Sequence, residues 1–154
     1  MKRLLFFVVG LLFAIPTFAQ IKIGAKHDAS IDIASARVNT IILRYGYGNF
    51  YIVGKTNNRF DDPVIITLGS DTDKALSAFD SFLSLYEYAD GEWVALADAD
   101  NTKYLVYKHG KAGKGSLSFK AQGEAQAGFF AIYRYELVNL KTALLEYMQT
   151  QTPQ

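Results

Sequence analysis

The segment VIITLGSDTDKALSAFDSFLSLY, residues 64–86, predicts a strand that leads directly into a helix. Residues 64–68 form a short run that is apolar apart from Thr67, which is typical of a buried strand. Gly69 ends the run, Asp71 supplies a helix N-cap, and Asp73 adds negative charge to the first helical turn. Apolar residues then recur at spacings of three and four, which predicts one buried helix face made of Leu76, Phe79, Phe82, Leu83 and Tyr86.

A second strand leads into a second helix near the end of the chain. The stretch GFFAIYRY, residues 128–135, is typical of a strand, and its FFAIY portion is the counterpart of VIITL. A helix is predicted from Glu136 to Gln149, with one apolar face made of Leu137, Leu140, Leu144, Tyr147 and Met148. The polar tail, residues 150–154, is expected to be disordered.

The remaining strand patterns come in two groups, one before each helix. The first group has alternating residues 31–34, then residues 41–48 and 50–55, with a hairpin turn near Gly48 and Asn49. The second group begins after Gly91, which is expected to end the first helix. Its patterns are WVALADA, KYLVYKH and SLSFKAQ, which lie in residues 93–99, 103–109 and 116–122.

Strands that are grouped together, with a helix after each group, indicate an α+β fold. We therefore expect one antiparallel sheet of about six to eight strands, with two helices packed on one of its faces. The same order also divides into two units, each with three or four strands and a helix. In this order of elements the chain resembles the Whirly and PUR single-strand-binding folds, although no sequence motif accompanies the resemblance.

The N-terminal stretch MKRLLFFVVGLLFAIPTFAQ has the pattern of a secretory signal peptide. Lys2 and Arg3 precede an apolar run that is shorter than the roughly 20 residues needed to span a membrane. Small residues end the stretch at Ala19, so residues 1–19 are predicted to be removed. We expect a mature chain without a membrane anchor, exported to the periplasm or secreted from the cell.

Composition predicts a single soluble domain over residues 20–154. Its length suffices for an independent core, and the chain contains no cysteine, which excludes disulfides and thiolate chemistry. The chain has 16 Lys and Arg and 15 Asp and Glu; without Lys2 and Arg3 the mature chain has 14 against 15, a net charge of −1. This balance argues against nucleic acid as a partner.

The loop KHGKAGKGS, residues 108–116, contains three glycines and three lysines but does not fit a phosphate-binding loop. Ser116 follows Gly115 where the P-loop pattern requires lysine, and the loop joins two strand patterns rather than a strand and a helix. A solvated hairpin loop explains it best. Its three lysines, Lys108, Lys111 and Lys114, are candidates for a partner-binding surface, together with a basic edge formed with Lys103 and Lys120.

No other stretch carries a metal or cofactor motif. The two histidines, His27 and His109, lack metal-ligand spacing. The stretch DADN, residues 98–101, fails the calcium-loop pattern, because Lys103 and His109 occupy the sixth and twelfth places. We interpret it as a turn whose side chains bond backbone amides, and we expect no cofactor, metal or catalytic residue.

Aromatic residues give the strongest functional signal. Tyr45 and Tyr47 are predicted to share one strand face and to form a recognition strip, which Tyr51, Tyr133 and Tyr135 extend if their strands are neighbours. Together with export, this favours a non-enzymatic binding domain for a protein or glycan partner. The alternatives are a small envelope hydrolase that uses Asp and Glu, and a nucleic-acid-binding sheet. The oligomeric state stays open.

Overall fold

A computed structural model describes residues 30–38, 40–56, 61–110, 115–122 and 128–151. The predicted signal peptide and residues 152–154 of the tail lie outside the described residues. Within them, no helix combines the length and the apolar character needed to cross a membrane. The elements follow one another as two successive units, and each unit consists of four strands and then a helix.

The first unit is a four-stranded antiparallel sheet whose strands lie in sequence order. Its strands are β1 (Ile31–Ala36), β2 (Ile41–Gly46), β3 (Asn49–Gly54) and β4 (Val64–Gly69). Helix α1 (Thr72–Ser84) follows and continues into a single 3₁₀ turn (Leu85–Glu87). The predicted N-cap is confirmed, since Asp71 accepts a hydrogen bond from the backbone N–H of Lys74 at 2.9 Å.

The second unit repeats this arrangement. Its antiparallel sheet contains β5 (Trp93–Ala97), β6 (Lys103–Lys108), β7 (Ser116–Ala121) and β8 (Phe129–Tyr133), again in sequence order. Helix α2 (Arg134–Gln151) begins directly after β8. The helix therefore starts two residues before the predicted position, and Tyr135 lies in its first turn rather than in a strand.

The α+β class is confirmed, but the expected single sheet of six to eight strands is replaced by two sheets of four strands each. The edge of β4 that does not pair with β3 explains why the first sheet ends after four strands. Thr67 of β4 accepts a hydrogen bond from the N–H of Ala99 at 3.1 Å and donates its own N–H to Asp98 at 3.0 Å. The turn between β5 and β6 thus occupies the edge at which a fifth strand would pair.

Both sheets and both helices contribute to one hydrophobic core. Alternate residues of each strand point inward, as the cross-strand pairs Leu43–Ile52 and Val106–Phe119 illustrate. Helix α1 contributes the buried residues Ala75, Phe79 and Phe82, and α2 contributes Leu137, Leu140 and Leu144. Of the predicted α1 face, Phe79, Phe82 and Tyr86 are buried, whereas Leu76 and Leu83 lie half-buried at its border.

The two sheets contact each other where Gly54 of β3 meets Phe130 of β8. A side chain at position 54 would overlap three carbon atoms of the Phe130 ring. Phe130 in turn stacks on Phe119, with ring centroids 5.4 Å apart, and Phe119 contacts the edge of Phe82 from α1. The absence of a side chain at Gly54 therefore allows the Phe130 ring to lie directly against β3.

Replacing Gly54 with alanine should destabilise the fold because the new methyl group must displace the Phe130 ring. We expect the G54A variant to lose about 1–3 kcal/mol of unfolding free energy in urea denaturation. Adding Phe130→Leu, which shortens the opposing side chain, should make the G54A change less costly. A double variant whose loss equals the sum of the two single losses would contradict direct contact between the sheets.

Tyr86 should make the fold sensitive to alkaline pH. Burial raises the pKa of its phenol above the ordinary value, the negative charge of Glu136 raises it further, and the hydroxyl donates to the carbonyl of Ile132 at 2.9 Å. Tyr86 in the unfolded chain ionises near pH 10, whereas the buried phenol stays neutral to higher pH. Its stabilising contribution is therefore complete below about pH 10 and is lost as the pH rises toward the folded pKa.

The Tyr86→Phe variant tests this expectation through unfolding free energies measured between pH 7 and pH 11. At pH 7 the variant should be about 1 kcal/mol less stable, because the Ile132 carbonyl loses its partner. Above about pH 10 its stability should fall less steeply than that of the natural protein. Tyr135→Phe, a change at an exposed tyrosine, should keep the natural slope. Parallel curves for Tyr86→Phe and the natural protein would refute the assignment.

Candidate functional site

The outward side of the second sheet carries a group of ring side chains. Phe119 and Phe130 point into the core, so the residues next to them in β7 and β8 point outward. The same alternation orients β5 and β6, where Val106 is buried. The rings on this outward side form what we call the aromatic face: Trp93, Tyr107, His109, Phe129 and Tyr133.

One half of the aromatic face is a row of three rings on β5 and β6. Trp93 and Tyr107 are directly paired across the two strands, and their ring centroids lie 4.8 Å apart. The imidazole of His109 meets Tyr107 edge-on at 4.7 Å and forms a hydrogen bond with the Ser118 hydroxyl at 2.7 Å. Since Trp93 is 59% exposed, the row presents a broad ring surface to solvent.

The other half of the aromatic face lies on β8 and extends into the first turn of α2. Tyr133 stacks almost parallel to Tyr135, with centroids 5.7 Å apart, and the guanidinium carbon of Arg37 lies 4.9 Å from the Tyr133 ring centroid. Phe129, at the far end of β8, is 46% exposed. Beside the tyrosine pair lies an open depression of about 740 Å³, which is lined by Gly115, Tyr133, Arg134, Tyr135, Val138 and Asn139.

Glu136 holds this tyrosine pair in place. It is buried, and its Oε2 accepts the backbone N–H of Tyr133 at 2.8 Å, which is half of a capping box at the start of α2. Arg37, in the turn after β1, donates to both carboxylate oxygens of Glu136, at 3.0 and 2.6 Å. The pair connects the first sheet to the start of α2 and fixes the position of Arg37 against Tyr133.

A strip of smaller side chains on β7 separates the two halves of the aromatic face. Ser116 and Ser118 are buried, and Lys120 follows them outward on the same strand. Lys120 pairs with Leu105 on one side and Phe129 on the other. With strands about 4.8 Å apart, the four-stranded face is roughly 14 Å wide. Its rings can stack on a flat ligand, and its hydroxyl, imidazole and ammonium groups can hydrogen-bond that ligand's edges.

The predicted tyrosine strip on the first sheet does not form. Tyr45 is half-buried, faces the core and contacts Phe50 at 4.8 Å between ring centroids. Tyr47 lies in the β2–β3 turn with φ +50°, and it is 68% exposed. Tyr51 pairs with Arg44 on the opposite face of the sheet from Tyr45. Tyr133 and Tyr135 belong to the other unit, so they do not extend the strip.

The structure places Lys108, one of the three lysines predicted to form a partner-binding surface, in a largely buried position. Lys108 is only 16% exposed, and its Nζ donates to the carbonyls of Tyr86, at 2.6 Å, and Tyr88. It therefore ties β6 to the end of the 3₁₀ turn. Lys103 and Lys120 point to the opposite side of the sheet, so no continuous basic edge with Lys108 forms. Lys111 and Lys114 lie outside the described residues.

The DADN turn has the structural role that the sequence predicts. Asp98 accepts the backbone N–H groups of Asp100 and Thr102, at 3.0 and 2.9 Å, and also that of Thr67 in β4. Asp100 accepts the Thr67 hydroxyl at 2.7 Å. Both carboxylates thus hold the turn against the first sheet. Of the predicted histidines, His109 joins the aromatic face, and His27 lies outside the described residues.

Trp93, Tyr107 and Phe129 were missed as site residues because the sequence does not reveal which strands share a sheet. Each of the patterns WVALA, KYLVYK and FFAIY contains at least one aromatic residue, but the patterns do not show which of these rings share a face. Within the described ranges, no group of three His, Asp or Glu side chains is close enough to hold a metal ion. Comparison of the chain with protein-family models, with curated proteins and with solved structures found no match.

Replacing Lys108 with methionine should destabilise the fold, because the Tyr86 and Tyr88 carbonyls lose a charged donor. We expect a loss of about 1.5–3 kcal/mol in chemical denaturation. Lys103→Met, on the same strand but exposed, removes the same charge and should change stability by less than about 0.5 kcal/mol. Equal stabilities of the two variants would show that Lys108 is not an internal tie.

Proposed function

We propose that the mature chain is an exported, non-enzymatic binding domain that recognises a glycan through the aromatic face. The observation that carries this proposal is the outward position of rings from β5, β6 and β8 on one open sheet surface. Among the described residues, both helices contribute to the core on the inner side, and none covers the aromatic face.

Sugar rings suit this surface because they combine an apolar face with polar edges. The C–H groups on one side of a sugar ring are weakly positive and pack against the negative face of an aromatic ring. Hydroxyl groups at the ring edge need hydrogen-bond partners, which the His109 imidazole and the Lys120 ammonium group can supply. The two aromatic halves stand on either side of the β7 strip, which favours a ligand with several rings in a row.

The predicted export supports a glycan over an intracellular ligand. A chain that passes through the secretory route meets cell-envelope or extracellular polymers, many of which are built from sugars. The absence of cysteine does not conflict with this, since the core of a 135-residue chain needs no disulfide for stability. A protein partner remains the alternative for the same face, because exposed Trp and Tyr are also common at protein interfaces.

The two alternative functions, a hydrolase and a nucleic-acid-binding sheet, are each supported by fewer observations. For a hydrolase, the paired carboxylates to consider are Asp98 and Asp100, which line a cavity of about 490 Å³ beside α1. Both already bond neighbouring groups of the turn and of β4, which favours a structural role.

For nucleic acid, the aromatic face offers stacking surfaces for bases, and such binding would weaken steeply with added salt.

The proposal predicts that Trp93→Ala and Phe129→Ala each weaken glycan binding by about tenfold or more, because each removes an exposed stacking surface. Affinity electrophoresis of the mature protein in gels containing mannan, pectin or alginate would first identify a bound polysaccharide. Titration calorimetry with oligosaccharides of that polymer would then measure the variants.

Tyr47→Ala is the matched control, since Tyr47 is an exposed aromatic residue on the other sheet. It should bind as the natural protein does. If Tyr47→Ala lost affinity while Trp93→Ala and Phe129→Ala kept it, the binding site would lie at the β2–β3 turn and not on the aromatic face. Release of reducing ends from any of these polymers by the purified protein would favour the hydrolase.

A further inference from the structure

The outward side of the second sheet has an uneven charge. Its described strand positions include two lysines, Lys103 on β6 and Lys120 on β7, and no aspartate or glutamate. The near-neutral composition of the mature chain does not suggest this asymmetry. Among these described strand positions no carboxylate offsets the two lysines, and an excess of one sign of charge on a surface attracts ligands of the opposite sign.

Lys103 and Lys120 also differ from the cations that form ion pairs elsewhere. Arg37, Arg44, Lys74, Lys108, Arg134 and Lys141 each have a carboxylate within 4.0 Å. For Lys103 and Lys120, no carboxylate of a described residue lies within that distance. Their ammonium groups are therefore available to an anionic ligand without breaking an existing pair among these residues.

The two lysines are close enough to act on one ligand. Lys120 pairs directly with Leu105, and Lys103 lies two residues from Leu105 on the same outward side of β6. Two strand residues span roughly 7 Å, and neighbouring strands are about 4.8 Å apart. Lys120 is also the cross-strand neighbour of Phe129. A sugar ring that stacks on Phe129 would hold its substituents beside the Lys120 ammonium group.

We infer that the ligand of the aromatic face is an acidic glycan, whose carboxylate groups meet Lys120 and Lys103 while its rings stack on Phe129 and Trp93. This inference rests on the proposed function and specifies its ligand class. An acidic glycan fits better than single-stranded nucleic acid, because nucleic-acid sites follow a phosphate at every nucleotide with a continuous positive groove. Lys103 and Lys120 can meet the carboxylates of neighbouring sugar rings, and among the described strand positions of this side no further cations extend them into such a groove.

Oligogalacturonate and the same oligosaccharide after chemical reduction of its carboxyl groups are the matched probes. They share ring geometry and differ in charge, and oligoalginate with its reduced form gives a second pair. Titration calorimetry of the full mature protein should show binding of the acidic form about five- to twentyfold tighter than that of the reduced form. The preference should shrink as salt concentration rises.

Variants assign the preference to the two lysines. Lys103→Met should reduce the preference for the acidic form several-fold and leave binding of the reduced form unchanged. Lys120→Met should also reduce the preference, because it weakens binding of the acidic form more than that of the reduced form, whose hydroxyl groups Lys120 also meets. Lys55→Met, an exposed lysine that follows β3 on the first sheet, removes the same charge and should leave the preference intact. Circular dichroism confirms folding of each variant, and the two lysine sites provide independent tests.

The possible failures are distinguishable. Equal binding of acidic and reduced forms, with loss in Trp93→Ala, overturns the acidic preference but leaves the proposed function standing. Binding of neither form in both probe pairs overturns the proposed function and the inference with it. Tighter binding of a single-stranded oligonucleotide than of any acidic oligosaccharide, with strong salt dependence, overturns the inference in favour of a nucleic-acid ligand.

Discussion

The close approach of the two sheets at Gly54 and Phe130 is the constraint on which the rest of the structure depends. Phe130 fits over a residue without a side chain, stacks on Phe119 and so connects both sheets to α1 through Phe82. Once Phe130 points inward, strand geometry requires its neighbour Phe129 to point outward. The requirements of the core thereby fix which residues of the second sheet are exposed.

Local features of the fold could be predicted from the sequence because their causes are local. The Asp71 cap, the apolar stripe of α1 and the Asp98 turn all depend on residues within a few positions of one another. The division into two sheets could not be predicted in this way. It depends on Thr67 bonding a turn about thirty residues later, and pattern within a single strand contains no information about that contact.

The sequence predicted a recognition strip of aromatic residues on strands, but it did not predict where the structure clusters aromatic rings. Tyr45 and Tyr51 point to opposite faces of the first sheet, while the clustered rings lie on the second. The distinction requires knowing which strands are neighbours. Tyr135 shows a further difficulty, because Glu136 starts the helix immediately after Tyr133 and thereby places the two tyrosine rings in a stack.

Strand β6 shows how one short sequence serves both stability and surface chemistry. Its residues KYLVYK begin and end with lysine, and the five-residue separation places the two side chains on opposite faces of the sheet. Lys108 points inward, where carbonyl groups at the end of the 3₁₀ turn surround its ammonium group. Lys103 points outward beside the aromatic face, where the carboxylates of the described residues leave it unpaired. Whether a lysine of β6 stabilises the fold or is available to a ligand therefore depends on whether its position in the strand faces inward or outward.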